Sequence, residues 1–154
     1  MRLWHKDYIP VLPDKLLMQQ WRDLCVIARQ IHETGSPKSP VVQPLMNYPL
    51  SHLRSYAVLV EMECVRRRHR IRPLCFWRYF PEYNPVVAIL PAHPERIFPE
   101  WHNTKYKTQC FFMLMERRDC GQITQMEWET VRNYIAGGKT NETGARNHGV
   151  LARA

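Results

Sequence analysis

Near the amino terminus, an arginine and an acid stand side by side on a predicted amphipathic helix. They are Arg22 and Asp23, in the segment Asp14–Leu24, whose apolar residues recur at helical spacing. An α-amine has a pKa of about 7.7–8.0, so part of it is neutral at pH 7, whereas a lysine amine is almost wholly protonated. A neutral amine can form a Schiff base with a sugar carbon, and a carboxylate can shuttle the protons. The pattern therefore suggests chemistry that pairs the α-amine of Met1 with Asp23.

The helix that positions this pair is predicted over about Asp14–His32. Asp14 follows Pro13 and suits the N-cap, and Gly35 begins the sequence that ends the helix. Residues 1–13 form an arm that Pro10 and Pro13 are expected to keep out of regular helix. Asp23 falls on the flank of the apolar stripe and is expected to be half-buried there. Its neighbours on that flank are Leu16, Gln20 and Ile27.

The rest of the chain predicts an all-α domain over residues 1–136. Three further helices are predicted, over about Ser51–His69, Lys105–Arg118 and Thr124–Ala136. Ser51 suits a cap, Thr124-x-x-Glu127 is a capping box, and the second helix is apolar almost all round, as in a central helix. Residues 33–50 are predicted to be a loop and 72–104 a long connection. In that connection Pro85–Leu90 could be a strand, although buried irregular chain is preferred. The tail, 137–154, is expected to be disordered.

Composition indicates the kind of binding partner and the cellular compartment. The net charge is +8 over 154 residues, which favours a polyanion such as nucleic acid, with simple solubility as the alternative. Five scattered cysteines without CxxC spacing argue for buried thiols in a reducing interior. No apolar run reaches the roughly 18 residues that span a bilayer, and Lys6 and Asp7 precede any sustained apolar stretch. We therefore expect a cytoplasmic, nucleoid-associated protein.

The sequence favours chemistry without a metal. His93 and His102 flank an acidic loop, but no HExxH or paired CxxC motif is present. The segment 137–139 (Gly-Gly-Lys) lacks the leading glycine of a phosphate-binding loop. Neither feature predicts a cofactor site.

Two stretches of the chain resemble the pyrimidine-dimer DNA glycosylases of the phage endonuclease V type. The first is Asp14-x-x-Leu17-Met18-x-x-Trp21-Arg22-Asp23-Leu24, where that family has an aromatic residue, Arg, an acid and Leu in this order. The second is Leu53-Arg54, then Glu63-Cys64-Val65-Arg66-Arg67 and Ile71, which match the family's central helix without a gap. The opening Met1–Asp7 looks like that of bacterial proteins grouped with the family.

The resemblance implies a compact, mostly α-helical monomer that excises a damaged base from double-stranded DNA and then cleaves the strand at the abasic site. It implies no metal and no organic cofactor. It also implies that Met1 supplies the nucleophilic α-amine and Asp23 the catalytic acid, in place of the family's Glu. A family histidine is replaced by Leu16, and His5 is a substitute only if the arm folds back.

The resemblance and the charge pattern together predict a DNA-binding surface. Arg2 stands in place of a family arginine, Arg22 matches a DNA-binding position, and Arg29 is expected to compensate for Val26, which replaces another arginine. The densest basic run offers phosphate ligands, or simply cations that the dipole favours at a helix C-terminus. The candidates in that run are Arg66, Arg67, Arg68 and Arg70.

Some features keep other interpretations open. Met1 could be only a translation start, and Asp23 could pair with a surface arginine. The aromatic residues at 77, 79, 80 and 83 could stack on an extruded base, although such clusters more often cover a core. The alternatives to an enzyme are a non-catalytic nucleic-acid-binding module on the same fold and a protein-interaction domain built on the aromatic loop.

Overall fold

A computed structural model of the chain describes residues 1–82 and 94–137, and within them it is helical and has no strand. The α-helices are α1 (Asp14–Thr34), α2 (Leu50–Arg66), α3 (Leu74–Trp77), α4 (Thr104–Asp119) and α5 (Gln125–Ile135). Three short 3-10 helices cover Lys6–Val11, Pro40–Asn47 and Pro94–Arg96. The all-α prediction is confirmed. Among the described helices, none has the length and apolar character needed to cross a membrane.

Helix α1 has nearly the predicted bounds but a different N-cap. Its N-cap is Pro13, which makes no side-chain capping bond, so the prediction that Asp14 is the N-cap is wrong. Asp14 is instead the first helical residue, and its carboxylate pairs with Arg67 at 2.8 Å. The helix ends at Gly35, whose φ of 81° is left-handed. Glycine adopts that conformation without the steric cost that a side chain brings.

Helix α2 is central, and it is shorter than predicted. Pro49 is its N-cap, so the assignment of Ser51 as the cap is wrong. It ends at Arg66 rather than His69, because the chain turns into the left-handed region at Arg68, with φ 59°. Its core side is fully buried, but Val65 is 63% exposed, so one side of the helix faces solvent. The prediction that α2 is buried on almost all sides is therefore correct for only part of the helix.

Three segments predicted without helix contain short helices, and one of them, the predicted connection 72–104, contains α3 and the 3-10 helix Pro94–Arg96. Lys6–Val11 includes Pro10, and Pro40–Asn47 lies within the predicted loop 33–50. The expectation that prolines keep the arm out of regular helix is therefore wrong. The ring fixes φ near −65°, which is within the range of a 3-10 helix. Proline interrupts the interior of a longer α-helix, but it does not prevent a short 3-10 helix.

The last two helices agree with the sequence. Asn103 caps α4 by accepting the Tyr106 N–H at 3.0 Å. Thr124 accepts the Glu127 N–H at 3.2 Å, and the Glu127 carboxylate accepts the Thr124 N–H at 2.8 Å, so the capping box is confirmed. The segment Pro85–Leu90 and the tail from residue 138 lie outside the described residues.

The core lies between α1 and α2 and extends to α3 and the arm. Trp21 of α1 meets Phe76 of α3 with ring centroids 6.0 Å apart. Trp77 and Phe80 are each only 8% exposed, which confirms for these two rings the interpretation that they cover a core. All five cysteines are free thiols, and Cys64 and Cys110 are buried.

Candidate active site

The arm contacts α1 at Asp23, one of the two predicted catalytic positions. The backbone N–H of Arg2 donates to Asp23 Oδ2 at 3.4 Å, and the side-chain amide of Gln19 donates to Asp23 Oδ1 at 2.8 Å. Asp23 is half-buried, beside the buried Leu16 and Gln20. The expected placement on the flank of the apolar stripe is confirmed. The carboxylate is thus held by two N–H donors with part of its surface open to solvent.

The Arg2 contact limits how far the α-amine of Met1 can lie from this carboxylate. The side chain of Met1 is 43% exposed, so a substrate can reach this end of the arm. Consecutive backbone nitrogens are at most about 3.7 Å apart. The Arg2 nitrogen is hydrogen-bonded to Asp23 Oδ2 at 3.4 Å. The Met1 nitrogen therefore lies within about 7 Å of the same carboxylate oxygen.

Gln20 fixes the arm to α1 and was not singled out by the sequence. Its amide oxygen accepts the Trp4 N–H at 2.8 Å, and its amide nitrogen donates to the Arg2 carbonyl at 2.9 Å. The side chain is 1% exposed. A polar residue on the edge of the apolar stripe is the only sequence signal that could have found it.

Two tyrosines hold the next arm carbonyls from other helices. Tyr56 of α2 donates to the Trp4 carbonyl at 2.6 Å. Tyr106 of α4 donates to the Leu3 carbonyl at 2.6 Å. Burial raises the pKa of Tyr56 well above its usual value, so its hydroxyl keeps its proton as a donor. Backbone groups of residues 2–4 are thus hydrogen-bonded to side chains of three helices.

A stacked histidine pair holds the following residues of the arm. The rings of His5 and His102 lie 5.2 Å apart, and His5 Nε2 bonds to the His102 carbonyl at 2.8 Å. His102 Nδ1 accepts the Lys6 N–H at 3.1 Å, and His5 Nδ1 accepts the Asp7 N–H at 3.2 Å. Each Nδ1 therefore carries a lone pair, and both rings are neutral. Burial lowers the pKa of His5, and it lowers that of His102 to about 2.

The role of His5 as a substitute for the family histidine stays a prediction. The arm does fold back, but His5 bonds to His102 and Asp7 rather than to Asp23. Leu16, at the family position, is buried at 8% exposure. The structure gives the histidine pair a part in holding the arm.

Several cations surround the arm and Asp23. The guanidinium of Arg2 lies 5.8 Å from the Trp4 ring centroid, and that of Arg117 lies 5.7 Å from the same centroid. Arg22 is exposed and donates to Gln19 at 3.1 Å, so Gln19 joins it to Asp23. Sequence reasoning missed Arg117, because the fold alone brings the end of α4 against the arm. Arg29 is also exposed, two turns beyond Arg22 on α1.

The basic run after α2 lies elsewhere on the molecule. Its contact with α1 is at Asp14, about 13 Å along the helix axis from Asp23 and on the opposite side at about 100° per residue. Arg67 is tied down by Asp14, Glu63 and the Leu12 carbonyl. Arg66 pairs with Glu63 at 2.5 Å. Arg68 and Arg70 are exposed. The structure does not bring this run together with Asp23.

No metal centre is found among residues 1–82 and 94–137, where no cluster of three or more His, Cys, Asp or Glu could hold an ion. His102 is engaged in the histidine pair, while His93 lies outside the described residues.

Comparison with known proteins finds a family match for the part of the chain that contains the arm and α1. Residues 1–76 match the model of the pyrimidine dimer DNA glycosylase family. This span contains the arm, α1 and α2, and so Arg2, Gln20 and Asp23. No curated protein and no solved structure matches the chain. The match supports a role like that of a pyrimidine dimer DNA glycosylase, with DNA as the substrate. The match over residues 1–76, just under half of the chain, supports assignment of the protein to the pyrimidine dimer DNA glycosylase family.

Proposed function

We propose that the protein is a DNA repair enzyme that removes a damaged pyrimidine and then cleaves the strand at the abasic site. The α-amine of Met1 is the nucleophile and Asp23 is the catalytic acid. The observation that carries the proposal is the 3.4 Å contact between the Arg2 N–H and the Asp23 carboxylate, which sets the acid beside the first residue. The family match supports the glycosylase role, and the lyase step extends it.

The chemistry needs only groups that this chain supplies. The neutral amine attacks C1′ of the damaged nucleotide, a nitrogen–carbon bond forms, and the glycosidic bond breaks as the base leaves with its electron pair and takes up a proton. The amine loses a proton, the sugar ring opens and an imine remains. Asp23 stabilises the developing cation and carries protons between these steps. Loss of a C2′ proton then expels the 3′ phosphate, and water hydrolyses the imine.

The cations near the arm supply the DNA contacts in this proposal. Arg2, Arg22 and Arg117 surround the site, and Arg29 continues the exposed side of α1. The substrate is a damaged duplex, bound by one protein molecule inside the cell, with the target nucleotide turned out of the stack. The net charge of +8 favours this association.

The basic run after α2 also contacts DNA in this proposal if the duplex extends across α1. Arg68 and Arg70 are exposed there and can reach phosphates, whereas Arg66 and Arg67 already have carboxylate partners. We therefore assign Arg68 and Arg70 to flanking DNA. Arg66 and Arg67 stay predictions as DNA contacts.

A non-catalytic nucleic-acid-binding module is the second candidate. The observation that favours it is that both oxygens of Asp23 already accept hydrogen bonds, from Gln19 and from Arg2. A carboxylate used in this way can simply hold the arm on α1.

Strand cleavage separates the two candidates. Three duplexes are compared, one with a single cyclobutane pyrimidine dimer, one with a single abasic site and one undamaged. For the enzyme we expect cuts in the first two by the wild type and much slower cutting by Asp23→Asn, with DNA binding retained. Salt-sensitive binding of all three duplexes without any cut would establish the binding module instead.

A further inference from the structure

The arm that carries the α-amine and the acid that faces it are joined by one side chain. Gln20 lies three residues before Asp23, less than one turn away on α1. Its amide nitrogen donates to the carbonyl of Arg2, the residue whose own N–H contacts Asp23. Gln20 and Asp23 therefore hold the two sides of the same residue from the same rigid helix.

The amide of Gln20 is itself held in one orientation. The single hydroxyl proton of Tyr56 is shared between the Trp4 carbonyl at 2.6 Å and Gln20 Oε1 at 3.1 Å. Because the amide oxygen accepts from Tyr56 and from the Trp4 N–H, the NH₂ group must point to the Arg2 carbonyl. A buried amide with its partners satisfied in this way specifies one geometry.

The three helices do not hold the arm equivalently. Tyr56 and Tyr106 bind the arm from α2 and α4, and neither helix carries the acid. Among the described residues, Gln20 is the α1 side chain besides Asp23 itself that hydrogen-bonds to the arm. A catalytic group is effective when packing and supporting hydrogen bonds keep it within about 0.5 Å of its productive position. A misplacement of about 1 Å can lower the rate about 100-fold.

We propose that Gln20 is a positioning residue, which sets the α-amine of Met1 against the carboxylate of Asp23. This inference rests on the proposed function. Gln20 touches neither substrate nor reacting atoms. Its effect reaches the reaction through the backbone of Arg2 and Trp4, so it is expected in the rate of imine formation rather than in DNA affinity.

The variant that tests this is Gln20→Met, which keeps the length and approximate volume of the side chain and removes its hydrogen bonds. The rate of borohydride-trapped adduct formation on an abasic duplex is measured against DNA concentration. We expect the rate at saturating DNA to fall about 10- to 100-fold, with the half-saturating DNA concentration nearly unchanged. Thr124→Ala is the control, because it removes a helix cap of α5 and touches no arm residue.

A second variant, Tyr56→Phe, keeps the ring and removes the hydroxyl that orients the Gln20 amide, so it should lower the same rate. Circular dichroism shows whether each variant is folded, and Tyr56→Phe carries the test if Gln20→Met is not. A wild-type protein that forms no adduct overturns the proposed function. A wild type that forms the adduct, with folded variants as fast as the Thr124→Ala control, overturns the positioning role alone.

Discussion

The Asp23 carboxylate receives the N–H of Arg2 at 3.4 Å, across 21 residues of sequence. This contact ties the first peptide of the chain to the middle of α1. It gives the acid a fixed place next to the amino terminus, and the consequences can be measured separately for chemistry, DNA binding and stability.

Replacement of the acid should slow cleavage and leave binding intact. For Asp23→Asn we expect the rate of strand cleavage at an abasic site to fall about 10²- to 10⁴-fold, the usual contribution of acid–base catalysis. The amide keeps the size of the side chain and can still accept from Arg2. Glu129→Gln is the matched control, because Glu129 is exposed on α5 and bonds only to Gln125 in the described part of the chain. Equal losses in both variants would remove Asp23 from the mechanism.

The exposed arginines of α1 should act through phosphates. For Arg22→Ala and for Arg29→Ala we expect weaker binding to a damaged duplex. We also expect the slope of log affinity against log salt to become shallower by about 0.9 for each phosphate that the variant no longer neutralises. Arg132→Ala, an exposed arginine of α5, should leave the slope unchanged. If all three variants show the wild-type slope, α1 does not face the DNA.

Arg67 should matter for stability. Its side chain is 16% exposed and joins Glu63 and Asp14 to the Leu12 carbonyl. Removal of one partner leaves a nearly buried carboxylate poorly compensated, so we expect Arg67→Met to lower the free energy of unfolding by about 3 kcal/mol. Arg68→Met, at an exposed neighbour, should stay within about 0.5 kcal/mol. Urea unfolding measures both, and similar small values for the two variants would show that the contacts of Arg67 are weak.

Acid should weaken the fold through the histidine pair. Burial first, and then the nearby His5 and Lys6, lower the pKa of His102 from 6.5 to about 2. A folded-state pKa below the unfolded value means that neutral His102 contributes its stability above about pH 6.5. That stability is lost as the pH falls towards 2, by up to about 1.4 kcal/mol per pH unit. Urea unfolding between pH 7 and 5 should show this slope in the wild type, with a smaller slope in His102→Gln. Parallel pH curves would mean that His102 is not the group responsible.

The helices could be predicted because their signals are local. The capping box of Thr124 and Glu127 and the apolar spacing of α1 lie within one or two turns of chain, and they indicated the right elements. Asp14 and Ser51 were assigned as caps from residue type. The helices begin instead after Pro13 and Pro49, whose φ angle is already suited to a helix start. Cap chemistry alone does not decide between adjacent residues.

The site could be predicted only in part, because its supports are distant in sequence. Asp23 follows from its place on a helix flank and from a family pattern. The contacts of the arm with Tyr56 and Tyr106 span 52 and 103 residues, and no local pattern indicates them. The same holds for Arg117, which reaches the Trp4 ring only through the packing of α4. The side chains that hold the arm are therefore brought to it by long-range packing.

The most direct measurement is borohydride trapping on a duplex with one abasic site, followed by peptide mass spectrometry of the adduct. The mass of the amino-terminal peptide also shows whether Met1 carries a free amine. We expect a single adduct on the α-amine of Met1, and none when that amine is acetylated. An adduct on a lysine, an undiminished adduct after acetylation of Met1, or no adduct from a protein with a free Met1 amine would contradict the proposed mechanism.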